Sequence, residues 1–190
     1  YHIPVWANAA TWTAMESQVG KIDKSLVNIF DNDSSFEIGE IGVKPFSIPH
    51  DAADPVGYSF MCGDEKVAVA TDIGELKKDL FEAIRGSKTV LLESNHDVNM
   101  LEIGKYPPQL KRRIRGKLGH LSNDDAGRAA EFLVRLGTER IILGHLSEEN
   151  NYPELARQTV ICVLNDAGIK CGRDVLLGVA LPQQTVSLCG

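Results

Sequence analysis

The amino-acid sequence predicts a mixed α/β (α+β) fold in which sheets and helices pack as layers, and three observations support this class. A length of 190 residues suits one ordinary domain, so we expect residues 1–190 to form a single domain. Hydrophobic residues make up 43% and charged residues 24% of the chain, which is typical of a globular protein. The hydrophobic pattern also changes near Glu75, from short β-like runs to alternating helical and strand patterns.

The first half of the chain is predicted to form a meandering sheet. A strand over residues 1–6 leads through Asn8 into a helix over 9–18. The following β-like runs are separated by turn residues, and they predict strands over 27–30, 36–38, 41–48, 58–62 and 66–70. The pair Gly63-Asp64 predicts a hairpin turn between the last two of these strands.

In the second half of the chain, segments with the apolar spacing of a helix alternate with segments that have the apolar pattern of a strand. Helices are predicted over residues 76–84, 107–117, 123–136 and 153–166, and strands over 89–93, 140–143, 175–181 and 185–188. Ser122, followed three residues later by Asp125, has the signature of a capping box and fixes the start of the third helix. The positions assigned to the core include Trp6, Trp12, Phe132, Leu133 and Cys162.

Composition excludes several other classes of protein. No apolar run approaches the ~18 residues that a membrane helix needs, so no membrane partner is expected. The net charge of -6 gives no overall attraction to nucleic acid, although a local basic patch could supply one. The four cysteines form no CxxC pair and are too sparse for a disulfide scaffold, which favours a cytoplasmic location.

Four of the five histidines lie where a β-like run ends or a helix begins, namely His50, His96, His120 and His145. Asp72 likewise follows the apolar run 67–70. Each of these residues alone could simply form a turn, but strand ends are where α/β proteins collect their active sites. Imidazoles and a bridging carboxylate suit divalent metals such as zinc. Such ions lower the pKa of bound water from about 15.7 to about 7, so hydrolysis by metal-bound hydroxide is the expected chemistry.

Five ordered motifs carry a family resemblance: PHDAADPVGY at 49–58, ATDIG at 70–74, ESNHD at 93–97, GHLSN at 119–123 and LGHLS at 143–147. Together they resemble the metallo-β-lactamase fold, and most closely its YycJ (WalJ) branch of metal-dependent hydrolases and 5′ to 3′ exonucleases. The resemblance implies an αββα sandwich with two divalent ions, Zn or Mn, at one edge. By this likeness His50 would bind one ion, Asp72 would bridge both and His145 would bind the second. His120 would assist catalysis.

The sequence departs from the family at one motif. No His-x-His-x-Asp-His occurs in the chain; in the family this motif supplies most of the remaining ligands and lies shortly before the position that matches Tyr1. The first strands of one sheet would lie there too, so an exposed apolar face or sheet edge is expected. His2 is a poor substitute ligand. We therefore expect these residues alone to bind metal weakly or not at all, and the chain alone to be inactive.

A basic segment precedes the GHLSN motif, with five cations within residues 111–117. Within it, Arg112, Arg113 and Arg115 could contact phosphates and guide a polyanion, DNA more than RNA, towards the metal ions. The alternative is a solvated helix face. Tyr106 could stack on a base, although a core or hinge role beside two prolines is favoured.

The ESNHD motif allows two interpretations. Asn95 and His96 could line a substrate groove, or Asn95 or Asp97 could cap a helix that begins near Val98. Asp51 and Asp97 could also orient neighbouring histidines, because ligand imidazoles usually donate their free N–H to an acceptor.

The function expected from this resemblance is a metal-dependent hydrolase that cleaves phosphodiester bonds, a 5′ to 3′ DNA exonuclease. Two alternatives stay open. One is a hydrolase of small cyclic phosphodiesters or thioesters on the same site, since metal chemistry does not choose the substrate. The other is a metal-free interaction module.

Overall fold

Two β-sheets face each other in the computed structural model, which describes residues 2–188, and helices cover the outer sides of both sheets. The strands are β1 (Val5–Asn8), β2 (Val27–Phe30), β3 (Phe36–Ile38), β4 (Ile41–Ser47), β5 (Val56–Cys62), β6 (Glu65–Ala70), β7 (Thr89–Glu93), β8 (Arg140–Gly144) and β9 (Leu176–Val179). The helices are α1 (Ala9–Val19), α2 (Lys78–Ile84), α3 (Val98–Ile103), α4 (Pro108–Ile114), α5 (Asn123–Arg135) and α6 (Pro153–Asp166).

The order of the strands places the ends of three of them side by side. Strands β1 and β2 form a small parallel sheet, and β3 to β9 form a seven-stranded sheet in sequential order. Strands β3 to β6 are antiparallel, whereas β6, β7, β8 and β9 are parallel. Because parallel strands end at the same edge, the loops that follow β6, β7 and β8 meet in one crevice.

The core lies between the seven-stranded sheet and helices α2, α5 and α6. On α5 the fully buried residues Ala126, Ala129, Ala130 and Leu133 follow the i, i+3, i+4, i+7 spacing of one helix face. Their partners in the sheet include Val90, Leu92, Ile141 and Leu143 of the two central parallel strands. Burial of this apolar area, at roughly 25 cal/mol per Å², fixes the parallel half of the sheet.

Aromatic side chains fill the space between the two sheets. Trp6 of β1 stacks on Phe36 with ring centroids 4.5 Å apart, and Phe30 of β2 contacts both Phe36 and Tyr58. On the other side of the small sheet, the indole N–H of Trp12 in α1 donates a hydrogen bond to the Asn28 carbonyl. The layers therefore run helix, sheet, sheet, helix, and the expected αββα sandwich is confirmed.

Three local predictions are wrong. Residues 185–188 form no strand, because no neighbouring strand pairs with them and only an isolated bridge joins Leu181 to Gln184. Phe132 is 45% exposed, since it lies about 100° around α5 from the buried Leu133. Cys162 is exposed on α6, because it lies on the side of the helix opposite the buried Val160.

Apolar side chains are exposed on the small sheet and just before it. Ile3 is 59% exposed and Ile29 of β2 is 61% exposed. Strand β1 pairs with β2 and with no other strand among residues 2–188. No helix in the described part of the chain is long and apolar enough to span a lipid bilayer.

The neighbouring residues Leu133 and Phe132 provide a matched test of the core. We expect Leu133→Ala to lower the free energy of unfolding by about 2–5 kcal/mol, because it leaves a cavity among fully buried side chains. Phe132→Ala should cost less, because this ring contacts Phe81 at the surface. Urea denaturation monitored by circular dichroism measures both values, and an equal loss in the two variants would contradict the packing of α5.

Candidate metal centre

A buried carboxylate, Glu93, lies at the centre of the crevice. It is the last residue of β7 and is fully buried. Three backbone N–H groups donate to it, from Asp72 at 3.2 Å, Ile73 at 2.8 Å and Leu121 at 3.0 Å. Since an unpaired buried charge is costly, these donors are what allow a carboxylate to end a central strand.

Two histidines also bond to Glu93 through the same ring atom. Nδ1 of His120 lies 2.9 Å and Nδ1 of His145 lies 2.7 Å from the carboxylate. Burial alone would raise the pKa of Glu93, but the hydrogen bonds from His120, His145 and the Leu121 N–H outweigh it and hold this pKa at about 2. The hydrogen bond to Glu93 in turn raises the pKa of His145. An ionised carboxylate only accepts hydrogen bonds, so Nδ1 of both rings carries a proton.

Asp72 and His50 complete the cluster from the other side. Oδ1 of Asp72 lies 3.5 Å from Nε2 of His50, 3.8 Å from Nδ1 of His120 and 3.7 Å from Nδ1 of His145. The other nitrogen of His50, Nδ1, lies 3.1 Å from the Gly119 carbonyl, which can only accept. Nδ1 of His50 therefore carries a proton, and the other ring nitrogen, Nε2, is the one that faces Asp72.

The backbone is strained at the two strand ends that flank Glu93. Among residues 2–188, Asp72 (φ 59°) and His145 (φ 56°) are the only non-glycine residues with positive φ. Residues held in this left-handed region cost of order 1–3 kcal/mol and persist where their surroundings fix them, typically at functional sites. Gly74 then lets the Asp72 loop approach residues 117–119, because a Cβ there would lie 2.4 Å from the Lys117 backbone.

The donor set fits a divalent metal. One ligand atom from each of Asp72, Glu93, His120 and His145 lies within 4.8 Å of the others. Carboxylate oxygens and imidazole nitrogens are ligands that zinc and manganese accept. Histidines whose Nδ1–H bonds to a carboxylate or a carbonyl are typical of metal sites, because that bond fixes the ring and leaves Nε2 for the ion.

The sequence pattern predicts His50, Asp72, His120 and His145 as site residues, and the structure brings these four residues together. It does not predict Glu93. The signal was present: an acid ends the apolar run 89–93, and a carboxylate in a buried parallel strand needs partners. Glu93 is part of the ESNHD motif, but no separate role for it is predicted from the sequence.

A cleft of about 490 Å³ opens over the cluster. Tyr106 and Arg113 line one wall, and the exposed Glu148 and Glu149 line the other. Asn95, which is 8% exposed, also faces this cleft, whereas His96 is 2% exposed and is not among its lining residues. Nδ1 of His96 has no hydrogen-bond partner within the described residues.

The two other predicted acids differ in their surroundings. Arg113 donates two hydrogen bonds to Asp51, one at 2.7 Å, and they lower the pKa of Asp51. Oδ1 of Asp51 is also 3.5 Å from Nε2 of His50. Asp97 instead caps α3, accepting from the Met100 N–H at 2.8 Å, which is one of the two roles expected of the ESNHD motif.

The cations of residues 111–117 are only partly free. Lys111 donates to the carbonyls of Glu102 and Gly104, Arg113 pairs with Asp51, and Lys117 lies 3.1 Å from Glu75. In the part of the chain that the structure describes, Arg112 and Arg115 are exposed and form no ion pair. These two arginines carry the unpaired positive charge of the segment, and they lie next in sequence to residues that line the cleft, Arg113 and Ile114.

An αββα sandwich with a histidine and carboxylate cluster at the ends of its parallel strands defines the metallo-β-lactamase class of fold. Solved structures agree: zinc-bound PqqB from Methylobacterium extorquens matches with a TM-score of 0.65 at 15% identity, covering 96% of this chain and 64% of that one. The metallo-β-lactamase fold protein YhfI from Bacillus subtilis matches with a TM-score of 0.62 at 13% identity, covering 94% and 61%. At such low identity these matches establish the fold alone.

The particular family follows from the sequence. Residues 1–146 match the model of the β-lactamase superfamily domain, and the chain belongs to this family. It is 41% identical over 172 residues to exodeoxyribonuclease YycJ of Bacillus anthracis, and 38% identical over 176 residues to exodeoxyribonuclease WalJ of Streptococcus pneumoniae serotype 2 strain D39. These alignments cover 90% and 92% of this chain but 65% of each relative.

Replacement of the central carboxylate tests the metal centre. We expect Glu93→Gln to weaken Mn²⁺ binding about 10- to 100-fold, because the amide NH₂ would face N–H groups that it cannot accept from, and the imidazoles would lose their orientation. Isothermal titration calorimetry of the gene product that contains these residues measures the affinity. Glu148→Gln, an exposed carboxylate at the cleft rim, is the control with the same change of charge. Equal affinities in the two variants would contradict a centre organised by Glu93.

Proposed function

We propose that the protein is a metal-dependent hydrolase that cleaves phosphodiester bonds in DNA, acting as a 5′ to 3′ exonuclease. The observation that carries this proposal is the convergence of Asp72, His120 and His145 around Glu93, with His50 beside Asp72, under an open cleft. The names of the relatives with 38–41% identity, exodeoxyribonucleases, support the reaction and the choice of DNA.

Three of these residues would hold the metal ions. His50 would bind one ion through Nε2, Asp72 would bridge two ions, and His145 would bind the second. Two ions, Zn or Mn, would lower the pKa of coordinated water and stabilise charge on a phosphate. Glu93 keeps its hydrogen bonds to the rings and acts by orienting them.

His120 is the proposed proton donor to the leaving oxygen. Its Nδ1 is held by Glu93 at 2.9 Å, so Nε2 is the nitrogen that can carry and release a proton in the cleft. A side chain positioned for proton transfer contributes typically 10²–10⁴-fold to a rate. The ring lies between the other two histidines, with centroids 4.9 Å from His50 and 5.2 Å from His145.

The walls of the cleft suit the end of a DNA strand. Arg112 and Arg115 would contact backbone phosphates beside the entrance, and Tyr106 offers a ring on which a base could stack. Arg113 would act with these two arginines, but more weakly, because its positive charge is partly neutralised by Asp51. His96 and Asp97 lie below this surface, where they shape the loop that carries Asn95.

The reaction itself is tested on 5′-phosphorylated DNA with the gene product that contains these residues, in the presence of Mn²⁺. We expect mononucleotides to be released from the 5′ end, and His120→Ala to lower kcat about 10²–10⁴-fold because the leaving oxygen loses its proton donor. His2→Ala, which removes an exposed histidine, is the control.

The same assay separates the competing functions. Hydrolysis of cyclic dinucleotides or thioesters with no degradation of DNA would contradict the nuclease and favour a hydrolase of small substrates. No hydrolysis of any substrate would favour a metal-free interaction module.

The role proposed for Arg112 and Arg115 predicts how the salt dependence of DNA binding changes when they are removed. The double variant Arg112→Ala and Arg115→Ala should weaken binding of single-stranded DNA and reduce the slope of log K against log salt by about 1.4, because two phosphate contacts are lost. Fluorescence anisotropy at several salt concentrations measures the slope. The control removes the same charge from α5, where Arg128 and Arg135 pair with acids of their own helix. An unchanged slope in the first variant would show that residues 111–117 are only a solvated face.

A further inference from the structure

The side chain of Asn95 reaches across the crevice to the backbone of His145. Asn95 lies two residues after the end of β7, and its Nδ2 is 2.9 Å from the His145 carbonyl oxygen. A carbonyl oxygen only accepts hydrogen bonds, so the amide must present its NH₂ group to it. The orientation of this amide is therefore fixed by its partner, and Nδ2 is committed to the protein.

The bond acts on a strained peptide. His145 has φ 56°, a conformation that a residue other than glycine keeps only when its surroundings fix it. Two neighbouring backbone bonds hold the same turn, from the Ser94 N–H to the Gly144 carbonyl at 3.0 Å and from the Ser147 N–H to the Asn95 carbonyl at 2.8 Å. The Asn95 side chain adds the contact to the His145 carbonyl itself. From this conformation the imidazole reaches Glu93 at 2.7 Å.

Asn95 is itself held by a buried network of amides. Nδ2 of Asn151 donates to the carbonyls of Ser94 at 2.9 Å and of Asn95 at 3.1 Å. The side chains of Asn151 and Asn123 exchange hydrogen bonds of 2.8 and 3.0 Å, and the Ser94 hydroxyl donates to Asn123 at 2.7 Å. Each of Ser94, Asn123 and Asn151 is buried. A fully hydrogen-bonded buried network is rigid, so Asn95 is placed before any ligand arrives.

We propose that Asn95 is a positioning residue for His145: its side-chain NH₂ holds the His145 peptide in the left-handed conformation that directs the imidazole at Glu93 and Asp72. The expected effect of Asn95 on metal binding rests on the proposed function, in which His145 is a metal ligand. It changes the role expected of Asn95 from a contact with substrate to a contact with the protein.

The effect on the imidazole can be measured without any metal. In the full 190-residue chain, a ¹⁵N-edited spectrum of the histidine rings should show the Nδ1–H of His145 bonded to Glu93, identified by its disappearance in His145→Gln. We expect Asn95→Ala and the isosteric Asn95→Asp to shift or lose this signal, because neither side chain can donate to the His145 carbonyl. Asn150→Ala is the control: Asn150 is a buried amide of the loop after β8, which also carries His145, and the described contacts include none between it and His145.

Metal binding provides the second readout. In the gene product that contains these residues, Asn95→Ala should weaken Mn²⁺ binding about 10- to 100-fold, the usual effect of losing a group that orients a ligand, while Asn150→Ala stays within twofold of the unsubstituted protein. Urea denaturation of both variants shows whether they are equally folded.

Two outcomes would overturn the proposal. One is a His145 signal in Asn95→Asp that matches the parent chain, since a donor would then be unnecessary. The other is an equal change in Asn150→Ala, which would mean that general loosening of the loop is responsible. If the gene product that contains these residues binds no Mn²⁺ while the His145 signal of the chain still depends on Asn95, the positioning role stands and the proposed metal-dependent function fails.

Discussion

The site is built around one ionised carboxylate that the fold buries completely. Glu93 ends a central parallel strand, where its side chain is fully buried and shielded from water. Transfer of an isolated carboxylate into a protein interior costs several kcal/mol even after relaxation, so the charge is tolerated only with donors around it. They come from three separate segments: the turn after β6, the segment before α5 and the turn after β8. The requirement to satisfy Glu93 therefore draws together the loops that carry Asp72, His120 and His145.

The sheet makes this arrangement possible, and the strained turns complete it. Parallel pairing of β6, β7 and β8 places three strand ends side by side, with Glu93 in the middle position. Asp72 and His145 on the flanking strands both adopt positive φ, and each is fixed through a hydrogen bond to Glu93. Backbone strain at these two positions is offset by the bonds that satisfy the carboxylate. The hydrogen bonds to Glu93 therefore both stabilise the two strained turns and orient the candidate metal ligands.

Much of the fold could be predicted from the sequence, because hydrophobic spacing reports directly on burial. The bounds of β2, β3, β7 and α6 agree with the structure, and the confirmed sandwich follows from the alternating pattern together with the family resemblance. The strand predicted over 185–188 was wrong because an apolar run does not reveal whether a partner strand is available. The position predicted for Phe132 is wrong because this residue lies about 100° around α5 from the buried Leu133, outside the helix face that packs on the sheet.

The histidines of the candidate site could be predicted from the sequence, but the central carboxylate, Glu93, could not. Residues that end strands in loops are visible as breaks in an apolar pattern, which is how Asp72 and His145 were found. Glu93 and Asn95 act through partners that lie 20 to 52 residues away along the chain, and no local pattern encodes those contacts. The pairing of Asp51 with Arg113, 62 residues apart, is of the same kind.

The most direct test of the account is a crystal structure of the gene product that contains these residues, grown with Zn²⁺, with the ion located by anomalous scattering at the zinc edge. The account predicts an ion about 2.0–2.2 Å from an Asp72 oxygen and from Nε2 of His145, with Nδ1 of His120 and of His145 still bonded to Glu93. An ion bound directly by Glu93 with both imidazoles turned away, or zinc found only outside the crevice, would contradict it.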